Sequence, residues 1–120
     1  MTDQVCVVVG GGKGMGAAIA REMKKRNYRL SLMSPSDNCE NLAEELNGIA
    51  YRGRAENSKD TDNLIKFTME KFGRIDSLLI HVGGPPKGDL LEISEDDWKK
   101  ANEMVLMPVI RLSKVITPIM

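Results

Sequence analysis

A run of apolar residues that ends in a cluster of glycines is the feature of this sequence that most restricts its fold. Val5–Val9 is rich in β-branched side chains, and the glycine-rich segment 10–16 follows it directly. Short apolar runs of this kind are typical of strands buried on both faces of a parallel sheet. Because apolar residues at helical spacing begin immediately afterwards, the glycines are predicted to form the turn between a strand and a helix.

Two glycine spacings fit this turn. One is Gly10-x-x-x-Gly14-x-Gly16, and the other is Gly12-x-Gly14-x-x-Ala17. A diphosphate group binds backbone N–H groups at a helix N-terminus, and a side chain there would hold it away. The spacing therefore predicts a dinucleotide-binding turn, whereas a Walker A loop is excluded because glycine rather than serine or threonine follows the loop lysine. The alternative is a glycine-rich turn that binds no ligand and serves close packing.

Strand and helix patterns alternate along the rest of the chain. Further strands are predicted at residues 30–33, 49–51 and 78–80, the last one buried, and helices at residues 38–46, from Ser58 or Asp60 to residue 72, and from Ser94 onward with an interruption or restart at Pro108. The inner face of the first helix is predicted to carry Met15, Ala18, Ile19 and Met23.

Alternation at this spacing implies right-handed crossovers between parallel strands. We therefore predict an α/β fold, a Rossmann-type doubly wound and mostly parallel sheet with helices on both faces. Residues 1–120 are expected to form one dinucleotide-binding domain, whose strands are the N-terminal portion of a longer fold.

Charge and composition exclude several classes of function. The 17 Lys and Arg residues balance the 17 Asp and Glu residues, so the chain lacks the basic surface of a nucleic-acid-binding protein. His81 is the only histidine, and Cys6 and Cys39 lie far apart, which excludes a structural zinc site. Neither a membrane span nor a signal peptide is recognised. We expect a soluble cytoplasmic protein with reduced thiols and with neither a membrane nor a nucleic acid as partner.

Four features in this order resemble the short-chain dehydrogenase/reductase family. They are the glycine spacing Gly10-x-x-x-Gly14-x-Gly16, the segment 72–76 (Phe-Gly-Arg-Ile-Asp), the strand and loop at residues 78–84, and Asp96-Asp97-Trp98 before the last helices. The resemblance runs from Val5 to Met120 and is nearest to the 3-oxoacyl-acyl-carrier-protein reductase branch. It implies hydride transfer between a nicotinamide cofactor and a small carbonyl or alcohol substrate, with a tyrosine and a lysine handling the proton. The family's Ser and Tyr-x-x-x-Lys are expected beyond Met120, so the chain alone is expected to be inactive.

The chain departs from the family pattern at several positions. Val9 stands where members often have threonine, Arg54 where an acidic residue contacts adenine, and Val105 where an asparagine belongs to the catalytic set. Residues 81–84 read His-Val-Gly-Gly in place of Asn-Asn-Ala-Gly. These departures favour an alternative of a different class, a non-catalytic nucleotide-binding or oligomerisation module. A third interpretation is a structural domain that binds no cofactor.

The end of the second strand bears on the choice of cofactor. An Asp or Glu there normally accepts hydrogen bonds from the ribose of NAD, but residues 34–36 read Ser-Pro-Ser. Without a carboxylate, a 2′-phosphate would meet no repulsion, and Ser34 or Ser36 offers it a hydroxyl. Lys13 resembles the basic residue of NADP-preferring family members, or else it is a solvated loop lysine. We predict NADP(H), with NAD(H) as the less favoured cofactor.

The predicted cofactor-binding residues are Gly10, Gly12, Lys13, Gly14, Met15, Gly16, Ser34, His81 and Gly83. No catalytic residue and no metal ligand is predicted within the chain. His81 ends a strand beside the expected nicotinamide, so it is either an acid or base or a hydrogen-bonded histidine at a strand end. Gly83 is expected to leave room beside the ribose, and a loop of Pro85, Pro86 and Lys87 is a candidate substrate contact.

The last helices are apolar around much of their circumference. The residues responsible are Met104, Met107, Ile110, Ile116, Ile119 and Met120. A helix that is apolar on several sides is buried by something. Either further chain covers it, or two subunits of a homo-oligomer meet through the C-terminal helix, or it packs only on its own core. Trp98 is expected to pack its helix onto the core.

Overall fold

The computed structural model describes residues 3–84 and 87–120. Its strands are β1 (Val5–Val9), β2 (Arg29–Ser34), β3 (Ile49–Arg52) and β4 (Ser77–Ile80), and its helices are α1 (Gly14–Lys25), α2 (Asn38–Leu46), α3 (Ser58–Phe72), α4 (Glu95–Ala101) and α5 (Met107–Ile116). A π-helical segment, Asn102–Leu106, joins α4 to α5. Pro85 and Pro86, part of the predicted substrate loop, lie outside the described residues.

All strand pairs are parallel, and the sheet has the order β3-β2-β1-β4. β1 lies between β2 and β4, with Val7 opposite Ser31 on one side and Leu78 on the other. Each connection between strands contains a helix, which is the arrangement of a doubly wound α/β sheet. The predicted fold class is therefore confirmed.

Two apolar cores lie on opposite faces of the sheet because successive strand residues point to opposite sides. Cys6 and Val8 pack on one face with the inner sides of α1 and α2. Val7 and Val9 pack on the other face with α3 and α5. The continuous apolar run of β1 thus follows from its burial on both faces, as predicted.

The fourth strand is less buried than predicted. All four residues of β4 are only half-buried. Within the described part of the chain β1 is the one strand that pairs with β4, so its outer edge is open. The side chains of Leu78 and Ile80 still contact the core on the α3 and α5 face, and Leu79 contacts the opposite core.

Local capping groups define the helix ends. The Asn57 side chain accepts hydrogen bonds from the backbone N–H groups of Lys59 and Asp60, so α3 begins at Ser58, the first of the two predicted positions. The Ser94 hydroxyl accepts from the N–H of Asp97 at 3.1 Å, which confirms the predicted start of α4. Gly73 ends α3 with a φ of 74°.

The predicted inner face of α1 was right for Met23, which packs against the core, and wrong for Met15 and Ala18. Met15 is 67% exposed and Ala18 is also exposed, whereas Gly16, Ala17 and Ala20 form the buried face. Small residues at these positions let the helix approach the sheet closely. The apolar pattern missed them because glycine and alanine carry little hydrophobic signal.

Trp98 does not pack onto the core, contrary to the prediction, since it is 50% exposed and α4 has no buried residue. α5 buries one face through Pro108, Leu112 and Ile116. The opposite side of the π-helical segment, α5 and the C-terminus leaves these apolar side chains exposed: Val105, Leu106, Val109, Ile110, Val115, Ile119 and Met120. None of the described helices is long and apolar enough to cross a membrane.

Candidate functional site at the carboxyl ends of the strands

A cavity of about 570 Å³ opens at the carboxyl edge of the sheet. Its walls come from the glycine turn after β1, the segment after β2, the loop after β3, the end of β4 and the π-helical segment. Of the predicted cofactor-binding residues, the structure places seven in its lining: Gly10, Gly12, Lys13, Gly14, Ser34, His81 and Gly83. Met15 and Gly16 are not among the lining residues.

The glycine turn starts where β1 leaves the sheet. The backbone N–H groups of Gly10 and Gly11 both donate to the carbonyl oxygen of Met33, at 2.8 and 3.0 Å, which ties the turn to the end of β2. Gly10 has a φ of 82°, and a Cβ there would collide with the carbonyl oxygen of His81. Only glycine therefore fits at the point where the turn passes the end of β4.

Gly16 has a packing role. A Cβ at Gly16 would collide with the carbonyl oxygen of Gly10, so this glycine allows α1 to start directly against the turn. Two of the three glycines in the spacing thus set the backbone path. At Gly14 no atom lies within 4 Å of the Cβ position, but its φ of 59° is one that favours glycine.

The N-terminus of α1 is open to an anion. Lys13 is the residue that precedes the helix, its backbone is extended, and its side chain makes no capping hydrogen bond. The first turn of α1 contains no acidic residue. Backbone N–H groups at a helix N-terminus need partners from outside the helix, and the partial positive charge there favours an anion.

Ser34 is placed in the cavity wall with its hydroxyl already in use. The side chain is buried, donates to the carbonyl oxygen of Ser36 at 3.0 Å, and accepts from the N–H of Cys39 at 3.1 Å. Ser36 is exposed and accepts a hydrogen bond from the N–H of Asn38 at 3.3 Å. Ser34 therefore anchors the start of α2, and Ser36 is the serine whose hydroxyl faces solvent at the cavity.

In the loop after β3 and in the π-helical segment, the sequence pointed to Arg54 and Val105, but other residues of these segments line the cavity. Gly53, Ala55 and Glu56 line the cavity from the loop, and Met104 lines it from the π-helical segment. Loop residues at the carboxyl edge of a parallel sheet are expected near a ligand, so topology was a signal for the first group. Nothing in the residue pattern indicated a π-helical segment at Met104.

Arg54 does not line the cavity, although it aligns with the adenine-contacting position of the family. Its side chain is 65% exposed and pairs with Glu56 at 3.5 Å. Its backbone N–H donates to the Asp60 carboxylate at 3.0 Å. The carboxylate at this side of the cavity is therefore that of Glu56.

His81 directly follows β4 and is half-buried in the cavity wall. Its backbone N–H donates to the carbonyl oxygen of Val9 at 2.9 Å, which extends the pairing of β4 with β1 by one residue. Gly83 lies beyond it in open space, with no atom within 4 Å of its Cβ position. Whether the imidazole acts as an acid or base stays a prediction.

Parallel strands with helical crossovers, a glycine turn at the central strand and a cavity at the carboxyl edge together define a Rossmann-type α/β protein. The chain belongs to the short-chain dehydrogenase family, since the family model described as short chain dehydrogenase matches residues 4–120. The resemblance stated from the sequence is thereby confirmed.

Relatives with this likeness are known from several organisms. The chain is 28% identical over 127 residues to the 3-oxoacyl-(acyl-carrier-protein) reductase of Synechocystis sp., with 100% of this chain and 51% of the relative covered. It is 30% identical over 123 residues to the oxidoreductase UcpA of Escherichia coli strain K12, with 98% and 47% covered. The chain thus spans about half the length of the curated relatives it matches.

Solved structures agree with this assignment. The crystal structure of the KRED1-Pglu enzyme superimposes with a TM-score of 0.91 at 28% identity, covering 98% of this chain and 51% of that chain. The structure of YwfH, described as an NADPH dependent reductase involved in bacilysin biosynthesis, has a TM-score of 0.92 at 18% identity, covering 98% of this chain and 50% of that one. The second likeness supports the fold alone.

Proposed function

We propose that this chain is the cofactor-binding portion of an NADP(H)-dependent short-chain oxidoreductase that reduces a carbonyl or oxidises an alcohol. The observation that carries the proposal is that one cavity brings the glycine turn, the α1 N-terminus and the ends of β2 and β4 together. Membership of the short chain dehydrogenase family supports the reaction class. The residues that handle the substrate proton, Ser and Tyr-x-x-x-Lys, belong in this proposal to chain beyond Met120.

The lining residues fit the parts of a dinucleotide. The uncapped N–H groups at the start of α1 would hold the pyrophosphate. Met15, which is exposed in the first turn of α1 just outside the cavity lining, and the open space at Gly83 would lie beside the nicotinamide half. His81 would contact the cofactor from the end of β4. When bound, the cofactor supplies the hydride, while this chain binds and orients it.

The adenosine end favours a 2′-phosphate. Lys13 and Ser36 lie at the cavity and carry no negative charge, and the Glu56 carboxylate in the lining is paired with Arg54 at 3.5 Å. Ser34 supports this end indirectly, because its hydroxyl holds the first turn of α2. Asp37 is exposed and does not line the cavity. These contacts support NADP(H) over NAD(H).

The exposed apolar surface of the π-helical segment and α5 supports a homo-oligomer through the C-terminal helix. Exposed large apolar side chains on successive helical turns are a feature of interfaces. A single monomeric species in sedimentation velocity of the full protein would contradict this assembly. The two cysteines are unpaired and buried, which supports a reducing, cytoplasmic location.

A second candidate function is a non-catalytic nucleotide-binding or oligomerisation module. The observation in its favour is Val105, which is 39% exposed, lies outside the cavity lining and offers no polar group. Turnover with a carbonyl substrate by the full protein would exclude this candidate. Binding of a nucleotide by the protein would exclude the third interpretation, a structural domain without a cofactor.

The cofactor proposal is tested by calorimetric titration of the protein with NADPH and NADH. NADPH is expected to bind more tightly, and Lys13→Gln is expected to weaken NADPH binding about tenfold, as for the loss of one charged hydrogen bond. NADH binding should stay unchanged in this variant. Lys25→Gln, a matched change in the exposed last turn of α1, is the control. Tighter binding of NADH than of NADPH by the parent protein would contradict the proposal.

A further inference from the structure

We infer that Arg111 is a positioning residue for the adenosine half of the cofactor cavity. Its guanidinium on α5 donates from Nη1 to the carbonyl oxygen of Glu56 at 3.2 Å and from Nη2 to Oε2 of Glu103 at 2.9 Å. Glu56 belongs to the loop after β3, and Glu103 belongs to the π-helical segment. One side chain therefore joins two separate walls of the site. The inference rests on the proposed function.

The two walls that Arg111 joins both face the cavity. Glu56 and Met104, the neighbour of Glu103, line it together. The same two residues also line a smaller groove of about 310 Å³, whose other side is formed by Lys99, Lys100 and Glu103. Glu56 and Met104 thus lie between the cavity and the groove. Arg111, on α5, is hydrogen-bonded to Glu56 and to Glu103, the neighbour of Met104.

The contact uses the forked shape of the Arg111 guanidinium. A planar guanidinium offers several N–H donors in a fixed fork, so it can bond a carbonyl and a carboxylate at the same time. The Arg111 side chain is 29% exposed, compared with 65% for Arg54, so its hydrogen bonds are better shielded from water.

The rest of the loop is held independently of Arg111. The N–H of Gly53 donates to the carbonyl oxygen of Ser34 at 2.9 Å, and the N–H of Arg54 donates to the Asp60 carboxylate. Asn57 caps α3 at the far end. The Arg54–Glu56 pair at 3.5 Å and the hydrogen bond from the N–H of Asn57 to the carbonyl oxygen of Arg54 at 3.1 Å lie within the loop itself. Loss of the Arg111 contact should therefore leave the fold of the loop and of α3 intact and remove the bond that ties the Glu56 carbonyl to α5.

The position of the segment around Glu56 indicates which half of the cofactor it would contact. In a sheet of order β3-β2-β1-β4, the loop after β3 lies on the β2 side of the glycine turn, and β4 lies on the other side. The adenosine of a dinucleotide lies over the end of the second strand, with the pyrophosphate at the first turn. Arg111 is therefore expected to affect adenosine binding and to leave nicotinamide binding unchanged.

The test measures the two halves separately by calorimetry, with 2′,5′-ADP and reduced nicotinamide mononucleotide as probes and NADPH as the reference ligand. Arg111→Gln is expected to weaken 2′,5′-ADP and NADPH binding about tenfold, with no change for the mononucleotide. Arg21→Gln removes an equally well-formed pair with Glu45, at 2.8 Å between α1 and α2, and should bind all three ligands as the parent does. Glu103→Gln keeps the arginine and should weaken 2′,5′-ADP binding about threefold, which provides the test if Arg111→Gln does not fold.

Each outcome decides a different claim. Unchanged 2′,5′-ADP affinity in the variants overturns the role of Arg111 and leaves the proposed function standing. Equal weakening of both probes also overturns it, because it indicates a general loss of structure. A parent protein that binds none of the three ligands overturns the proposed function and this inference together.

Discussion

Gly16 stands in the sequence as one of three glycines in a binding motif, but its contact in the structure is with the protein itself. Its Cα faces the carbonyl group of Gly10, and a methyl group would collide with it. The spacing of the motif therefore reports both the path of the backbone and the site for a ligand. Packing and ligand binding can be told apart at single glycines. A Cβ at Gly10 or Gly16 would meet backbone atoms, whereas a Cβ at Gly14 would meet none within 4 Å.

Gly16→Ala should destabilise the protein by about 2 kcal/mol or more, since the added Cβ meets rigid backbone. The free energy of unfolding, measured in urea by circular dichroism, checks this. Gly84→Ala is the matched control, because no atom lies within 4 Å of that Cβ position, and it should cost less than about 0.5 kcal/mol. Equal stability of the two variants would show that α1 does not pack against the turn in this way.

Cys6 makes stability depend on pH in the alkaline range. Burial in the central strand raises the pKa of its thiol from 9.0 to about 11. The unfolded chain then loses the thiol proton at a lower pH than the folded protein. The free energy of unfolding is therefore unaffected by this thiol below about pH 9 and falls as the pH rises towards 11.

Measured by urea unfolding between about pH 8 and pH 11, the parent protein should lose about 2 kcal/mol more stability than Cys6→Ala. The variant has a constant packing deficit but no thiol to ionise, so it serves as the reference at each pH. A difference between the two proteins that stays constant across this range would contradict the shifted pKa.

At the scale of elements, the sequence predicted those parts that depend on strong local signals. The strands, the capping serine Ser94 and the helix end at Gly73 follow from apolar runs and from residues with special backbone preferences. The face of α1 could not be predicted in the same way, because its contact with the sheet is made by small residues. Trp98 shows the opposite case, since a large apolar residue usually lies in a core but here remains half exposed.

The candidate site was predicted to a similar extent. The glycine turn, Ser34 and the end of β4 were found from their position relative to predicted strands, and the structure brings them to one cavity. The walls made by Glu56 and Met104 were not found, because they depend on how the C-terminal helices dock onto the loop after β3. A side-chain contact over 55 positions, from Arg111 to Glu56, has no local signal in the sequence.

At the scale of the whole molecule, the chain combines a well-packed sheet with unprotected surfaces. In the described part of the chain β1 and β2 are buried, whereas β3 and β4 each have an outer edge without a partner strand and the C-terminal helices expose an apolar side. The chain corresponds to about half of its relatives, of which it covers 51% and 47% in the two cases above. The β4 edge and this apolar side lie where further chain or a second subunit would add contacts, consistent with the proposal that catalysis needs more than these residues.

The central claim is that a nicotinamide dinucleotide binds at the carboxyl edge of this sheet. The most direct measurement is a titration of the isotope-labelled protein with NADPH, followed by the backbone amide signals in NMR spectra. The account predicts saturable shifts at Gly10, Gly14, Ser36, Glu56 and Gly83, with little change at Val5 and Asp76 on the opposite edge. Absence of saturable shifts, or shifts centred on the edge that carries Val5 and Asp76, would contradict it.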